Sequence, residues 1–221
     1  MVVITRFIKD ALVAGGIPEG KIIVAPDGVP LEMFDLPMTK AQARGELGVP
    51  QDRRIVMYTG SNVAWKGLPV LQNVSRHLPE NCLVVFVGDI KGKNSGKEFF
   101  AGFQPYTRIP LWLKAADVLV LTGNQNSDIS KYYTSPLKMF EYMASGRPVV
   151  ASDLPSFREV LSEKNALFAK PDDPLSFAAA ITALLGDGAL ADTLARQARE
   201  DVQAYTWAKR AGAIKAFINE R

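Results

Sequence analysis

The residues best suited to chemistry lie within residues 134–159, TSPLKMFEYMASGRPVVASDLPSFRE. Ser135 is a favoured N-cap residue and Pro136 suits the first helical position, so the pattern predicts a helix that begins at Pro136. The amides of Leu137 and Lys138 would then lack intrahelical partners at the positively polarised end of the helix. Such a helix end is suited to bind an anion such as a phosphate.

A carboxylate stands on the same predicted helix. Helical spacing places Glu141 on one stripe with Leu137, Phe140 and Ala144, which are all apolar. An unpaired buried carboxylate is costly, so Glu141 must reach solvent or accept hydrogen bonds, and the hydroxyl groups of a ligand are suitable donors. A phosphate site and a diol site within two helical turns of each other describe a nucleotide.

A further phosphate contact is predicted in the loop after residues 54–59. Gly60 and Gly67 would let the backbone approach a ligand closely, and Lys66 could reach a phosphate. A solvated lysine beside a turn accounts for the same pattern, and these residues alone favour it, because lysine is mostly exposed. The loop by itself leaves both interpretations open.

Composition and motif spacing argue against several other classes of protein. The 26 Lys and Arg against 23 Asp and Glu give a net charge of +3 without a basic, aromatic stripe, so no nucleic-acid partner is expected. Residues 92–97, GKNSGK, are one residue too short for a P-loop, and no G-x-G-x-x-G occurs. His77 is the single histidine, which excludes a catalytic triad within this chain, and no tightly bound metal or cofactor is expected.

Short apolar runs that alternate with helical patterns predict the fold class. The arrangement is typical of an α/β protein with a doubly wound parallel sheet, followed by C-terminal helices, and its ligand would bind beyond the carboxyl ends of the strands. Residues 90–97 and 122–134 are expected to be polar loops. The predicted strands are 1–4, 21–25, 54–59, 83–87, 118–121, 149–151 and 166–169. The predicted helices are one capped by Thr5 that ends at Gly15, a short one near 39–47, and 68–77, 109–115, 136–144, 157–161, 174–185, 189–205 and 206–219.

The stretch SPLKMFEYMASGRPVVASDLPSFREV closely resembles the nucleotide-sugar-binding signature of family-4 glycosyltransferases, which have the Rossmann-like GT-B fold. The resemblance implies that Glu141 holds the ribose of a nucleotide-diphosphate sugar, while backbone amides around Ser135, Pro136 and Leu137 hold its diphosphate. It also implies that Lys66 contacts the diphosphate, which reverses the preference for a solvated lysine. In catalysis, Lys66 would stabilise charge on the leaving diphosphate and Glu141 would position the donor.

The resemblance extends to further positions, some of which depart from the family pattern. Arg108 and Ile109 would lie nearest the base. Tyr133 stands where the family often has a glutamate near the donor sugar, so sugar recognition transfers less directly than nucleotide recognition. Ser61 or Asn62 stands in the neighbourhood of a family arginine, so one of the two usual phosphate cations is missing or supplied from elsewhere.

Residues 1–30 resemble the end of an N-terminal domain and the crossover from it, so the 221 residues are expected to form a single nucleotide-sugar-binding domain. In GT-B enzymes the missing N-terminal domain supplies the acceptor pocket. The resemblance implies a retaining transferase that moves a hexose-type sugar from a UDP or GDP donor to a glycan or lipid-linked acceptor, with little or no transfer by this chain alone. The start shows no export sequence and Cys82 is the single cysteine, so we expect a cytoplasmic enzyme, with peripheral membrane contact left open for its full-length form.

Two other functions stay open at this point. The chain could be a regulatory module that binds nucleotides and never catalyses. It could also be part of a sugar-nucleotide epimerase, which shares the architecture, although the lone His77 is poorly placed for that chemistry. Titration with sugar nucleotides, and the discovery of a separately encoded partner half, would distinguish these alternatives.

Overall fold

The chain begins with a small β-α-β unit that has its own sheet. In the computed structural model, which describes residues 1–220, β1 (Val2–Val3) and β2 (Ile23–Val24) pair in parallel. Helix α1 (Arg6–Ala14) connects them, and the hydroxyl oxygen of Thr5 caps its first turn by accepting an amide at 3.2 Å. These residues precede the main sheet and do not pair with its strands.

Six parallel strands form the main sheet. Their spatial order is β5-β4-β3-β6-β7-β8, so the sheet is wound outward in both directions from the junction of β3 and β6. This order confirms the predicted doubly wound α/β fold. The strands are β3 (Arg54–Thr59), β4 (Cys82–Val87), β5 (Glu98–Gly102), β6 (Val118–Leu121), β7 (Val149–Ser152) and β8 (Leu167–Ala169).

Helices cover both faces of this sheet. Along β3, Ile55 and Met57 pack into the apolar cluster on one face, while Val56 and Tyr58 pack into the cluster on the other, and all four are fully buried. Burial on both faces is why such strands are continuous apolar runs in the sequence. The helices are α2 (Lys40–Leu47), α3 (Leu68–Val74), α4 (Ile109–Ala115), α5 (Asp128–Tyr132), α6 (Leu137–Ala144), α7 (Pro155–Arg158), α8 (Pro174–Gly186), α9 (Gly188–Asp201) and α10 (Trp207–Asn219).

The helices at the end of the chain follow the predicted pattern. Helices α8, α9 and α10 come after β8, and the last of them returns toward the start of the chain, where the Val29 amide donates to the Tyr205 carbonyl at 3.0 Å. Within residues 1–220, no single helix has both the length and the apolar composition to cross a bilayer. The segments Pro174–Gly186 and Gly188–Ala204 reach that threshold only as a pair, bent by 101°.

Two elements were not predicted at all, and α7 (Pro155–Arg158) lies two to three residues earlier than the predicted helix 157–161. Strand β5 was not predicted, because it is an edge strand that is half-buried along its whole length and follows a polar loop. Helix α5 lies within residues 122–134, where a polar loop was expected, and only its central Ser130 is buried. Strand β5 has an apolar run of only three residues, 99–101, and α5 has a single buried residue. Neither carries the longer hydrophobic pattern on which the other predictions were based.

The loops after β3 and β6 meet where the strand order reverses. The Asn124 amide donates to the Trp65 carbonyl at 3.2 Å. Gly67 has φ of +65°, and a Cβ at this position would lie 2.9 Å from the backbone of Gly123, so the close contact of the two loops requires glycine. In doubly wound sheets the crevice beside such a junction is the usual ligand site.

Candidate functional site

The amino end of α6 presents two free backbone donors. The helix begins at Leu137 with Pro136 as its N-cap, so the prediction of Ser135 as the N-cap is wrong. The reason is that Ser135 Oγ accepts the Asp27 amide at 3.1 Å, which ties the early part of the chain to this helix. No acceptor within residues 1–220 is bonded to the amides of Leu137 and Lys138, which leaves this helix end available for an anion.

Tyr142 fixes α6 against the end of β3. Its hydroxyl oxygen accepts the backbone amide of Thr59 at 2.8 Å and the hydroxyl of the same residue at 3.2 Å. Tyr142 is fully buried, and burial raises the pKa of its phenol, so the contact stays neutral. The helix is therefore held with its first turn beside Gly60, the residue that opens the loop after β3.

Glu141 is the buried carboxylate of the site, with 7% of its surface exposed. Burial raises the pKa of Glu141, and interactions with the Tyr106 hydroxyl and the Lys138 ammonium lower it. Burial and the facing carboxylate in turn raise the pKa of Tyr106 to about 12. Leu137 does not share a buried stripe with Glu141 as predicted, because it is 47% exposed at the mouth of the cavity. The carboxylate still lines the cavity and can accept hydrogen bonds from a ligand.

The loop after β3 brings a lysine to the same cavity. Gly60 has φ of +139°, and Lys66 ends a short 3-10 turn, Ala64–Lys66. The Lys66 ammonium donates to Ser61 Oγ at 2.8 Å, and burial lowers the pKa of Lys66. Lys66 is thus half-buried and held in place by its own loop rather than being a freely solvated lysine.

Lys138 is a second cation that the sequence reasoning did not assign to the site. Its Nζ is buried without a hydrogen-bond partner in the described part of the chain, and lies 3.7 Å from the ring centroid of Tyr58. Burial, then repulsion by Lys66, holds the pKa of Lys138 well below its usual value, while Glu141 acts in the opposite direction. The signal was the spacing of Lys138 and Glu141, since residues three apart share a helix face.

These groups surround one cavity of about 480 Å³. Seven predicted site residues line it: Gly60, Lys66, Ile109, Ser135, Pro136, Leu137 and Glu141. Five lining residues were not predicted, namely Ile4, Asp27, Thr59, Trp65 and Thr134, and for Lys138 only the backbone amide was predicted. Asp27 and Ile4 could not be found by local patterns, because the fold brings them to α6 from more than a hundred residues away.

Three predicted site residues lie outside the lining. Ser61 bonds to Lys66 and so supports the loop. The Arg108 guanidinium lies 4.0 Å from the Glu46 carboxylate, and its side chain is half-exposed. Tyr133 is 41% exposed and its ring packs against Tyr132 at 6.0 Å, which directs it along α5.

The fold and the cavity place the chain among doubly wound α/β proteins that bind their ligand at the sheet junction. Residues 53–187, more than half of the chain, match the family described as glycosyl transferases group 1. The chain belongs to this family, which confirms the resemblance found in the sequence of α6 and β7.

Similar proteins are longer than this chain. D-inositol 3-phosphate glycosyltransferase of Xylanimonas cellulosilytica is 28% identical over 215 residues, which are 88% of this chain and 50% of the relative. Sucrose-phosphate synthase from Thermosynechococcus elongatus has a TM-score of 0.81 and is 26% identical, and the match covers 99% of this chain and 57% of the synthase chain. HepE of Anabaena, solved in complex with UDP-glucose, has a TM-score of 0.84 and is 19% identical, and the match covers 100% of this chain and 63% of the HepE chain. The chain spans between 50% and 63% of the length of these three proteins.

Proposed function

We propose that this chain is the donor-binding half of a glycosyltransferase and holds a nucleotide-diphosphate sugar in the cavity at the start of α6. The observation that carries the proposal is Lys138, a buried ammonium without a partner in the described residues, next to free helix amides and a second lysine. Such a group is costly unless an anion pairs with it. The family membership and the UDP-glucose bound by HepE support a sugar nucleotide as that anion.

The diphosphate is proposed to lie between the loop after β3 and α6. Lys66 and Lys138 would each contact its oxygens from one side, and the amides of Leu137 and Lys138 would bond it at the helix end. The second cation is proposed to come from the helix as Lys138, in place of the family arginine, near whose position Ser61 or Asn62 stands. Charge that develops on the leaving diphosphate would be stabilised by the same groups.

The nucleoside is proposed to extend along α6 toward α4. Glu141 would accept the ribose hydroxyls, and Ile109, which lines the same cavity, would contact the base. Arg108 and Tyr133 are proposed to reach the donor only through movement of their side chains, since both lie outside the cavity lining. The donor sugar would then point toward the side of the cavity formed by Ile4 and Asp27.

The complete reaction is proposed to need a second domain. Residues 1–30 would be the end of that N-terminal domain, and Asp27, which lines the cavity, belongs to this segment. None of the proposed contacts is assigned a proton transfer as general acid or general base, so the chain alone is expected to bind donor and transfer little sugar. Retention, a hexose-type sugar from UDP or GDP, and a glycan or lipid-linked acceptor are proposed from the resemblance. Cytoplasmic location stays a prediction.

Replacement of Glu141 by alanine is expected to weaken UDP binding by about tenfold to a hundredfold, because hydrogen bonds between the ribose and a charged acceptor are lost. Calorimetric titration with UDP, GDP and ADP sugars measures this effect and identifies the base. Pyrophosphate, which has no ribose, should bind the variant at least as tightly as wild type.

Two comparisons make the Glu141→Ala result specific. Glu200 is exposed on α9, and Glu200→Ala should bind UDP like the wild type. If wild type binds no sugar nucleotide, the proposed function is wrong. If Glu141→Ala binds UDP as tightly as wild type, or loses pyrophosphate affinity to the same extent, the ribose assignment is wrong.

A further inference from the structure

A second cavity lies at the other end of α6 and has a volume of about 380 Å³. Ser145, which follows the last residue of α6, lines it together with Lys114, Arg147 and Arg199. Strands β6 and β7 begin just after α4 and α6, so this cavity lies at the amino ends of the strands, whereas the donor cavity lies at their carboxyl ends. We refer to it as the basal cavity.

The basal cavity has an excess of positive charge. Three cations line it, and Asp35 is its one lining carboxylate within residues 1–220. Asp35 is an ion-pair partner of Arg199, which also donates to the Ala144 carbonyl. Asp117 and Asp192 act on the charge of Arg147 from outside the lining, and Asp35 acts on that of Lys114, but neither cation forms an ion pair within residues 1–220.

Within residues 1–220, Arg147 Nε has no hydrogen-bond partner and Lys114 has no ion-pair partner. Arg147 Nε is buried without a hydrogen bond in the part of the chain that the structure describes. Lys114 is half-buried and makes no ion pair there. Burial, followed by repulsion from Arg147 and Arg199, lowers the pKa of Lys114, and the Asp35 carboxylate opposes this change.

The negatively polarised end of α6 accounts for the position of Arg199 but not for that of Arg147. Cations are favourable near the negatively polarised carboxyl end of a helix, and Arg199 fills that role by bonding to Ala144 at the end of α6. The guanidinium Nε of Arg147 faces no carbonyl within bonding distance among residues 1–220. A buried guanidinium donor without an acceptor is costly and points to an acceptor from outside the chain.

We propose that the basal cavity binds a phosphate group, with Arg147 and Lys114 as donors and Arg199 as the third cation. A guanidinium presents a planar fork that matches phosphate oxygens, and the lysine adds a compact charge. The phosphate belongs to a small molecule or to a lipid headgroup, since both present the same oxygens. The site is separate from the donor cavity and does not depend on the proposed function.

Arginine side-chain NMR of the full chain, titrated with inorganic phosphate, tests this site. The Nε–H signal of Arg147 is expected to shift and saturate, whereas the signal of Arg196, exposed on α9, should not. Lys114→Gln and Arg147→Gln should each lower phosphate affinity by about tenfold or more, the loss of one charge-assisted hydrogen bond, while Arg196→Gln should not. If Arg147→Gln does not fold, Lys114→Gln still provides the comparison.

Sedimentation with phosphatidylcholine vesicles, with and without phosphatidic acid, distinguishes the two phosphate sources. Binding to phosphatidic acid that both variants weaken identifies a headgroup site. A saturable shift by inorganic phosphate without vesicle binding identifies a small-molecule site. The proposal is overturned if neither probe binds, or if Lys114→Gln and Arg147→Gln bind both probes as tightly as wild type.

Discussion

Replacement of Lys138 by methionine is expected to weaken UDP binding by about a hundredfold and to raise the free energy of unfolding by roughly 1–3 kcal/mol. Affinity falls because one partner of a buried charge pair with the diphosphate is removed. Stability rises because Nζ has no hydrogen-bond partner within residues 1–220, so the free chain carries an unsatisfied buried group. Methionine has similar length, and its sulfur can keep the contact with the ring of Tyr58.

The stability gain should depend on pH. Burial and then repulsion by Lys66 lower the pKa of Lys138 well below the usual 10.5. Between the lowered and the usual pKa, the folded chain binds fewer protons at Lys138 than the unfolded chain, so wild-type stability rises with pH in this window. Lys138→Met lacks this dependence, and its advantage is expected to be largest at low pH and to fade toward pH 10.5.

Lys131 offers a matched control for this variant. It also lies over a tyrosine ring, 5.0 Å from the centroid of Tyr132, but it does not line the donor cavity. Lys131→Met is therefore expected to leave UDP affinity unchanged in calorimetry and to give no pH-dependent gain in urea unfolding. A Lys138→Met chain that binds UDP like the wild type would show that Lys138 does not pair with the diphosphate.

Replacement of Asp117 by asparagine is expected to destabilise the fold by roughly 3–5 kcal/mol, the usual effect of breaking one side of a buried ion pair. The Asp117 side chain is 6% exposed and accepts hydrogen bonds from Arg44 at 2.6 Å, from the Ile55 amide at 2.7 Å and from Lys40. Arg44 is 4% exposed and also donates to three backbone carbonyls, so it cannot move to water. The variant would leave its charge uncompensated between α2 and the start of β3.

The free energy of unfolding at acidic pH gives a second test of the ion pair between Asp117 and Arg44. Burial raises the pKa of Asp117, but hydrogen bonds from Lys40 and Ile55 and the charge of Arg44 lower it more, so its pKa lies below the usual 3.8. The contribution of Asp117 is thus present above that usual value and lost as the pH falls through the folded pKa. Asp117→Asn should lack this loss.

Asp153→Asn is the control variant when the stability of Asp117→Asn is measured by chemical denaturation. Asp153 pairs with Arg158 at 2.6 Å, but its side chain is 47% exposed. Asp153→Asn is expected to change the free energy of unfolding by no more than about 1 kcal/mol, because exposed ion pairs contribute little. An equal effect of the two variants would show that the Asp117 pair does not hold α2 to the sheet.

Much of the fold could be predicted because its strands are buried on both faces. Strands β3 and β6 coincide with their predicted bounds, since their residues are continuous apolar runs. Strand β5, Glu98–Gly102, was missed because its apolar run, residues 99–101, is only three residues long and follows a polar loop. Helix α5 was missed for a similar reason, since most of it stays in contact with solvent.

The candidate site was predictable where its signals are local. Glu141 and the free amides at the start of α6 follow from spacing within one helix, whereas Lys66 was assigned to the site only through the family resemblance. Asp27 was not predictable, because it reaches the cavity through a hydrogen bond to Ser135 that spans 108 residues. The position of Lys138 on the helix is evident from the sequence, but only the fold shows that its ammonium is buried close enough to Lys66 to be repelled by it.

An amide NMR titration of the chain with UDP tests most directly whether the diphosphate binds at the start of α6. The largest saturable shifts are expected at the amides of Leu137 and Lys138 and at Gly60, because two of these amides would gain phosphate acceptors and the third lies beside Lys138. UMP, with one phosphate, should produce weaker binding at the same residues. GDP is titrated in the same way, because the base is not yet identified. Saturable shifts confined to residues outside this cavity, or no shifts with either UDP or GDP at millimolar concentration, would contradict the proposed donor site.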